Sequence, residues 1–248
     1  MEKETQNSPI PSSFWARVTG VFTSPTRTFE NVAHHPRFLA PFLATLILFA
    51  GFWGVVYLKL GLSGMAVAVV QYLRRGTLVP QDQIDFTLQY SRALAPAVLL
   101  GGASVILVHL LVFAWVGVRL ADLFFGVRLR LRGALSLVCF AYLAKTFVQT
   151  VLSIPMVLFG DLNGMNFGNL LPTNAAFFLN PGGTSRMLYV FLQSLDIVQL
   201  WYFALLGMSL STHTNDRASP RVIATSFAIL WIGLNVVFAA FRDLLIGP

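Results

Sequence analysis

Charge is scarce in this chain: Asp, Glu, Lys and Arg make up 11% of its 248 residues, against about 25% in soluble domains. With 56% hydrophobic residues and a mean hydropathy of +0.71, that scarcity excludes an ordinary soluble globular domain. Cysteine is nearly missing. The one thiol, Cys139, lies inside an apolar run, so no intramolecular disulfide and no cysteine-based metal site can form. Acid is the scarcer charge, 10 Asp and Glu against 17 Lys and Arg, for a net charge of +7. The basic residues fall in small groups between apolar runs, which is the distribution of topogenic charge and not of a nucleic-acid interface. After the polar N-terminus MEKETQNSPIPSS, the first long apolar run begins only near Phe38. That is too late and too long for a cleaved signal h-region, so the first span is expected to stay in the protein.

What the chain has is a series of apolar runs, each near the roughly 20 residues that cross a bilayer. Residues 38–58 carry no charge and would measure about 31 Å as a helix. The run 93–118 is interrupted only by His109, and 133–158 carries Lys145 and Gln149, with Pro155 expected to kink its outer end. The run 188–210 holds Gln193, Asp196 and Gln199, and 222–241 holds Asn235. The expected fold is all-α: a polytopic membrane helix bundle with five transmembrane helices, preceded by short interfacial amphipathic helices. Residues 1–37 form the N-terminal region and 38–248 the transmembrane domain. Ten Lys and Arg fall on one side of these spans and six on the other, which places the N-terminus in the cytoplasm and the C-terminus outside.

The intervening segments are patterned too. Phe14, Trp15, Val18, Val21 and Phe22 repeat at helical spacing opposite Arg17 and Thr19, as in a short helix lying in the headgroup region. Trp15, Phe14 and Phe22 are therefore the candidate docking residues. Ser24 and Pro25 read as N-cap and first-turn proline of a second helix that Pro36 ends. MAVAVVQYLRR and QDQIDFTLQYSRA both read as helical across a GTLVP linker, the second continuing into span two with a bend at Pro96. The loop 160–186 is rich in Gly, Asn and Pro, and its NLLPTNAAFFL part reads as a re-entrant or interfacial piece.

Several of these segments, taken in order from about residue 14 to 241, resemble the five-span Yip family of integral membrane proteins, in its bacterial branch. SPTRTFENVAHHPRFLAP, with Pro25, Phe29, Pro36 and Pro41, is similar to the family's approach to its first span. VPQDQIDFTLQYSR resembles the polar helix before span two, and RLADLFFGVRLRLRGALS the loop into span three. SLDIVQLWYFALLG, with Asp196, Leu200, Trp201 and Gly207, resembles the best recognised span-four stretch, followed by a short basic loop into WIGLN. The Asp-Leu-Tyr-Gly-Pro type motif of the eukaryotic branch is not found, so binding to Rab-type GTPases is not carried over. Lys145 stands where the family has a proline soon after Ala-Tyr. The resemblance implies a non-enzymatic membrane protein that works through partners or through the bilayer.

The candidate intramembrane polar site is Lys145, Asp196, Gln149, Gln193, Gln199 and His109. A charge at mid-span costs roughly 2.5 to 3.5 kcal/mol, and Lys145 and Asp196 would sit at similar depth. They read first as an ion pair fixing helix register, with a proton or ion relay, or an anionic-headgroup site, as the alternative. Gln193, Asp196 and Gln199 recur at i, i+3 and i+6 of one helix, fit for interhelical hydrogen bonds or a polar cavity. His109 is either a proton carrier or a hydrogen-bonded structural histidine. Arg128, Arg130 and Arg132 are candidate headgroup-binding residues, although positive-inside retention already accounts for them. No catalytic or metal residues are assigned: LFGD lacks the first glycine of an intramembrane aspartyl-protease motif, GxSxG and HExxH are missing, and His34 and His35 point apart on a helix. The expectation is a non-catalytic adaptor or organiser in the bacterial inner membrane. Its expected associates are membrane lipids and a protein partner, with no cofactor, no nucleic acid and a homo-oligomer left open. The alternative is a small-solute or ion transporter, or an accessory subunit of a transport or efflux complex.

Overall fold

The computed structural model describes residues 13–73, 81–160, 169–180, 183–214 and 219–246. The linker 76–80, loop positions 161–168 and Arg217 lie outside these described residues. The described residues form helices α1 (Phe14–Thr23), α2 (Pro25–His34), α3 (Leu39–Leu73), α4 (Gln81–Gln89), α5 (Ser91–Phe125), α6 (Leu131–Phe159), α7 (Arg186–Ser194), α8 (Ile197–His213) and α9 (Pro220–Ile246), with no strand among them. Four helices are long and apolar enough to cross a bilayer: Leu39–Leu62, Leu100–Phe125, Leu131–Phe159 and Pro220–Phe241. The α7–α8 pair, bent by 50°, brings the number to five when it is counted as one span. Large side chains face outward along these helices, with Ile47 71% and Phe238 69% exposed. Such surface would be a liability in water and is ordinary against lipid.

The sequence expectation differs from the structure at several boundaries. α3 runs past residue 58 and breaks at Gly61, whose φ of 67° is left-handed and suits glycine. The polar helix before span two is a separate element, divided from α5 at Tyr90, and α5 continues through Pro96. Pro155 lies inside a helix that persists to Phe159. The expected continuous span 188–210 is interrupted at Leu195 and Asp196.

α6 is the axis of the bundle. Its apolar window is 56% buried, against 17 to 28% for the other three long spans, and it packs against α1, α2, α3, α5 and α8. Its buried face carries Gly133, Ala134, Ser136, Ala141 and Ala144, small residues that let neighbouring backbones approach closely. Two hydrogen bonds set the register of α3 on α6. The Arg37 N–H donates to Ser136 Oγ at 3.0 Å, and Lys59 Nζ donates to the Leu158 carbonyl at 3.0 Å. Both pairs are 99 residues apart, so the two helices run parallel in constant register. The same offset sets Leu39, where the first apolar span begins, beside Val138. The first two turns of α6 therefore extend beyond the apolar layer, on the side that carries α1 and α2.

α1 and α2 pack on the bundle instead of lying free on the bilayer. Phe29 and Val32 of α2 are fully buried, and α2 packs on α6 and α8. Ser13 caps α1, accepting from the Ala16 N–H at 3.2 Å. Ser24 occupies the N-cap position of α2 without the expected side-chain bond; its carbonyl instead accepts from Thr28 Oγ1 at 3.0 Å.

α8 and α9 cross closely at Gly207, where a Cβ would run into the Pro220 carbonyl oxygen and lie 3.0 Å from Ala224 Cβ. Gly207→Leu should therefore destabilise the bundle by about 1–3 kcal/mol. Gly233→Leu, at a position with nothing within 4 Å, should not; thermal unfolding of the two variants in detergent checks the contrast.

Candidate functional site

Polar side chains gather at three levels of the molecule. The first is the break between α7 and α8. Asp196 is the N-cap of α8, with Oδ1 accepting from the Gln199 N–H at 2.8 Å and Oδ2 accepting from the Thr173 hydroxyl. The Thr173 carbonyl accepts from the Ile197 N–H at 2.9 Å. The loop thus returns to close the break. It does so as a coil with a short 3-10 turn, Ala175–Phe178, that packs against α7. Behind it, Asn174 Nδ2 donates to Asn169 Oδ1 at 2.8 Å and Asn169 Nδ2 to Tyr189 Oη at 3.2 Å, all three residues being buried.

This geometry corrects the single polar face expected of Gln193, Asp196 and Gln199. Gln193 belongs to α7, Asp196 to the break and Gln199 to the first turn of α8, so the three share no helix. The reason is local: Asp196-Ile-Val-Gln199 has the N-cap residue and the Gln three places on that mark a helix start. The apolar run around it hid that signal.

The second level is inside the bundle. Lys145 is buried, with Nζ 5.3 Å from the ring centre of Tyr142 and 5.4 Å from that of Tyr202, a cation–π arrangement worth about 2 kcal/mol or more when desolvated. His109 stacks on Phe113 at 4.1 Å and lies 4.8 Å from Tyr142 and 6.2 Å from Tyr202. The structure therefore brings Lys145 and His109 around the same two tyrosines, which sequence reasoning had not singled out. Gln199 is buried one turn before Tyr202, and Gln149 is half-buried one turn beyond Lys145. Asn235 Nδ2 donates to the Trp231 carbonyl of its own helix at 2.8 Å, a structural role.

The third level is the end where α1 and α2 meet α6. Here Arg17 and Trp15 of α1 lie on the opposite sides from those expected, while Thr19 is exposed and Val21 buried as expected. Arg17 is 5% exposed and Trp15 72%, because Arg17 Nη1 donates to the His35 carbonyl at the end of α2, at 3.2 Å. A guanidinium at a helix C-terminus satisfies an orphan carbonyl and meets the negative end of the dipole. Desolvation first, and the like charge of Arg37 second, lower the pKa of Arg17 from its ordinary value. Phe14 contacts Trp15 at 5.1 Å and Phe140 at 6.2 Å, and Phe22 packs on Phe147 at 5.9 Å and Trp201 at 5.8 Å. Of the three candidate docking residues, only Trp15 is thus mainly free. Arg128, Arg130 and Arg132 are exposed in the loop and first turn before the same stretch of α6.

Because Asp196 acts as a cap, Asp196→Ala should cost about 0.5–2 kcal/mol while Asp196→Ser, which still offers a capping oxygen, should cost less. Thermal unfolding of the two variants tests this; equal losses would point to the charge, not the cap.

The helical order, the broken α7–α8 pair and the N-terminal helices all lie within one region of recognised likeness: a Yip1 domain matches residues 19–241. No curated protein and no solved structure matches the chain. A match that runs from within α1 almost to the end of α9, over an all-helical bundle with membrane-crossing helices, shows that the chain belongs to the Yip1 domain family of multi-pass membrane proteins.

Proposed function

We propose that this Yip1-domain protein is a non-catalytic adaptor or organiser of partner proteins or lipids in the bacterial cytoplasmic membrane. In this reading it has five spans, with the N-terminus cytoplasmic and the C-terminus outside. The parallel register of α3 and α6 supports alternating spans, since the five-residue turn 126–130 returns α5 beside α6. α9 packs against both α7 and α8, which supports reading the bent pair as one crossing. The excess of Lys and Arg on the side of α1, α2 and the 126–132 turn supports a cytoplasmic N-terminus.

The observation that carries the adaptor reading is Trp15. It is a large aromatic, 72% exposed, on a helix that Arg17, Phe14 and Phe22 otherwise fasten to the bundle. A rigidly held, exposed Trp is of the residue type that anchors interfaces. The transporter reading draws on the broken span, because transporters use broken helix ends to hold substrate. Here both carboxylate oxygens of Asp196 and the Ile197 N–H are taken by the chain's own groups, which favours a structural break. Flux in liposomes that is lost on Lys145→Leu would favour transport instead.

The test is mild extraction of tagged protein from native membrane with identification of what accompanies it in near-equal amount. Trp15→Ala should leave the protein level unchanged and lower recovery of that associate several-fold. Phe22→Ala is a poorer probe, since it also removes packing on Trp201 and Phe147. Unchanged recovery from Trp15→Ala would count against the adaptor.

A further inference from the structure

Basic side chains and an uncapped helix end converge where the N-terminal segment meets α6. Arg132, Ser136 and Phe140 are four residues apart and form one ridge of that helix. Arg37 docks on the ridge through its N–H to Ser136 Oγ at 3.0 Å, and Phe14 through Phe140 at 6.2 Å. Arg17, one turn along α1 from Phe14, is 5% exposed and has an Nε with no hydrogen-bond partner. Since Leu39 begins the first apolar span beside Val138, the ridge passes from hydrocarbon at Phe140 to headgroup level at Ser136 and Arg132. Among the described residues, no carboxylate lies within ion-pair distance of Arg17, Arg37, Arg128, Arg130 or Arg132. Arg130, the N-cap of α6, makes no side-chain bond to the helix's first N–H groups. The stretch 119–132 carries four arginines against one acid, Asp122, so positive charge stays in excess at this end, beside exposed aromatic surface.

We propose that Arg37 and Arg132 bind the phosphate of an anionic phospholipid from the leaflet on the N-terminal side, with an acyl chain lying against Phe14 and Trp15. Guanidinium forks match phosphate oxygens, and an uncapped helix start adds N–H donors to the same anion. Arg128 and Arg130 add to the local field that draws an anionic headgroup. The apolar flank selects a lipid over a soluble phosphate, because a free anion would gain nothing from Phe14 and Trp15. The inference rests on the geometry of this end and holds whether or not a protein partner docks at Trp15.

The experiment uses the full-length protein in nanodiscs and in detergent, with phosphatidylglycerol, phosphatidylcholine and inorganic phosphate as probes. Native mass spectrometry should find phosphatidylglycerol retained in preference to phosphatidylcholine, with the preference falling as ionic strength rises. The double substitution Arg37→Gln, Arg132→Gln should weaken retention roughly 25-fold, about fivefold for each lost charge near the surface. These two side chains are exposed, so the variant keeps the fold. Equal retention of the two lipids, or unchanged retention in the double variant, would overturn the proposal. Displacement of phosphatidylglycerol by millimolar inorganic phosphate would overturn it in favour of a soluble anion.

Discussion

The close approach of helices along the small-residue face of α6 is the contact on which the remaining architecture depends. Gly133, Ala134, Ser136, Ala141 and Ala144 leave room for backbones, and lipid offers no hydrophobic drive to bring helices together, so packing of this kind has to hold them. α1, α2, α3, α5 and α8 all pack on this helix. The stretch 37–59 is held to α6 at two levels, Arg37 on Ser136 and Lys59 on Leu158, which sets the register of the two helices. Lys145 is seven residues below Val138, about 10 Å into the apolar layer by helical rise. Arg37 and Arg132 lie at or above that boundary.

A second constraint acts at the α7–α8 break. An interrupted helix that is shielded from water has to have its freed groups satisfied by the chain itself. Thr173 and Asp196 do so, one with a carbonyl and a hydroxyl, the other with its carboxylate. The loop carrying Thr173 is held in turn by Asn174, Asn169 and Tyr189. This explains why so polar a segment sits close to the bundle, and why an acid inside an apolar stretch is tolerated. Lys145 meets the same problem differently, through the faces of two tyrosines, Tyr142 on its own helix and Tyr202 on α8.

The fold class was legible in residue types alone, because apolar runs of bilayer length and grouped Lys and Arg reflect a transfer free energy that does not depend on neighbours. The order of polar segments between those runs likewise carried the family likeness that the domain match then established. The interruption in span four was legible in principle, through the N-cap pattern at Asp196, but hydropathy averages over the break. The placements of Arg17 and Trp15 differ from the expectation for a related reason. Periodicity separates apolar from polar residues but does not say which face a docking surface will claim, and a free carbonyl at His35 drew Arg17 inward.

What the sequence by itself determined is therefore the environment of the chain: helices, membrane, and the side on which positive charge collects. Only the tertiary structure decided which polar residues meet. Asp196 serves Gln199 and Thr173, Lys145 and His109 share Tyr142 and Tyr202, and Arg17 turns inward beside His35, with Arg37 near enough to shift its titration. The reason is that partition into lipid is a sum over single residues, whereas hydrogen bonds and cation–π contacts depend on distances of a few ångströms between residues far apart in sequence.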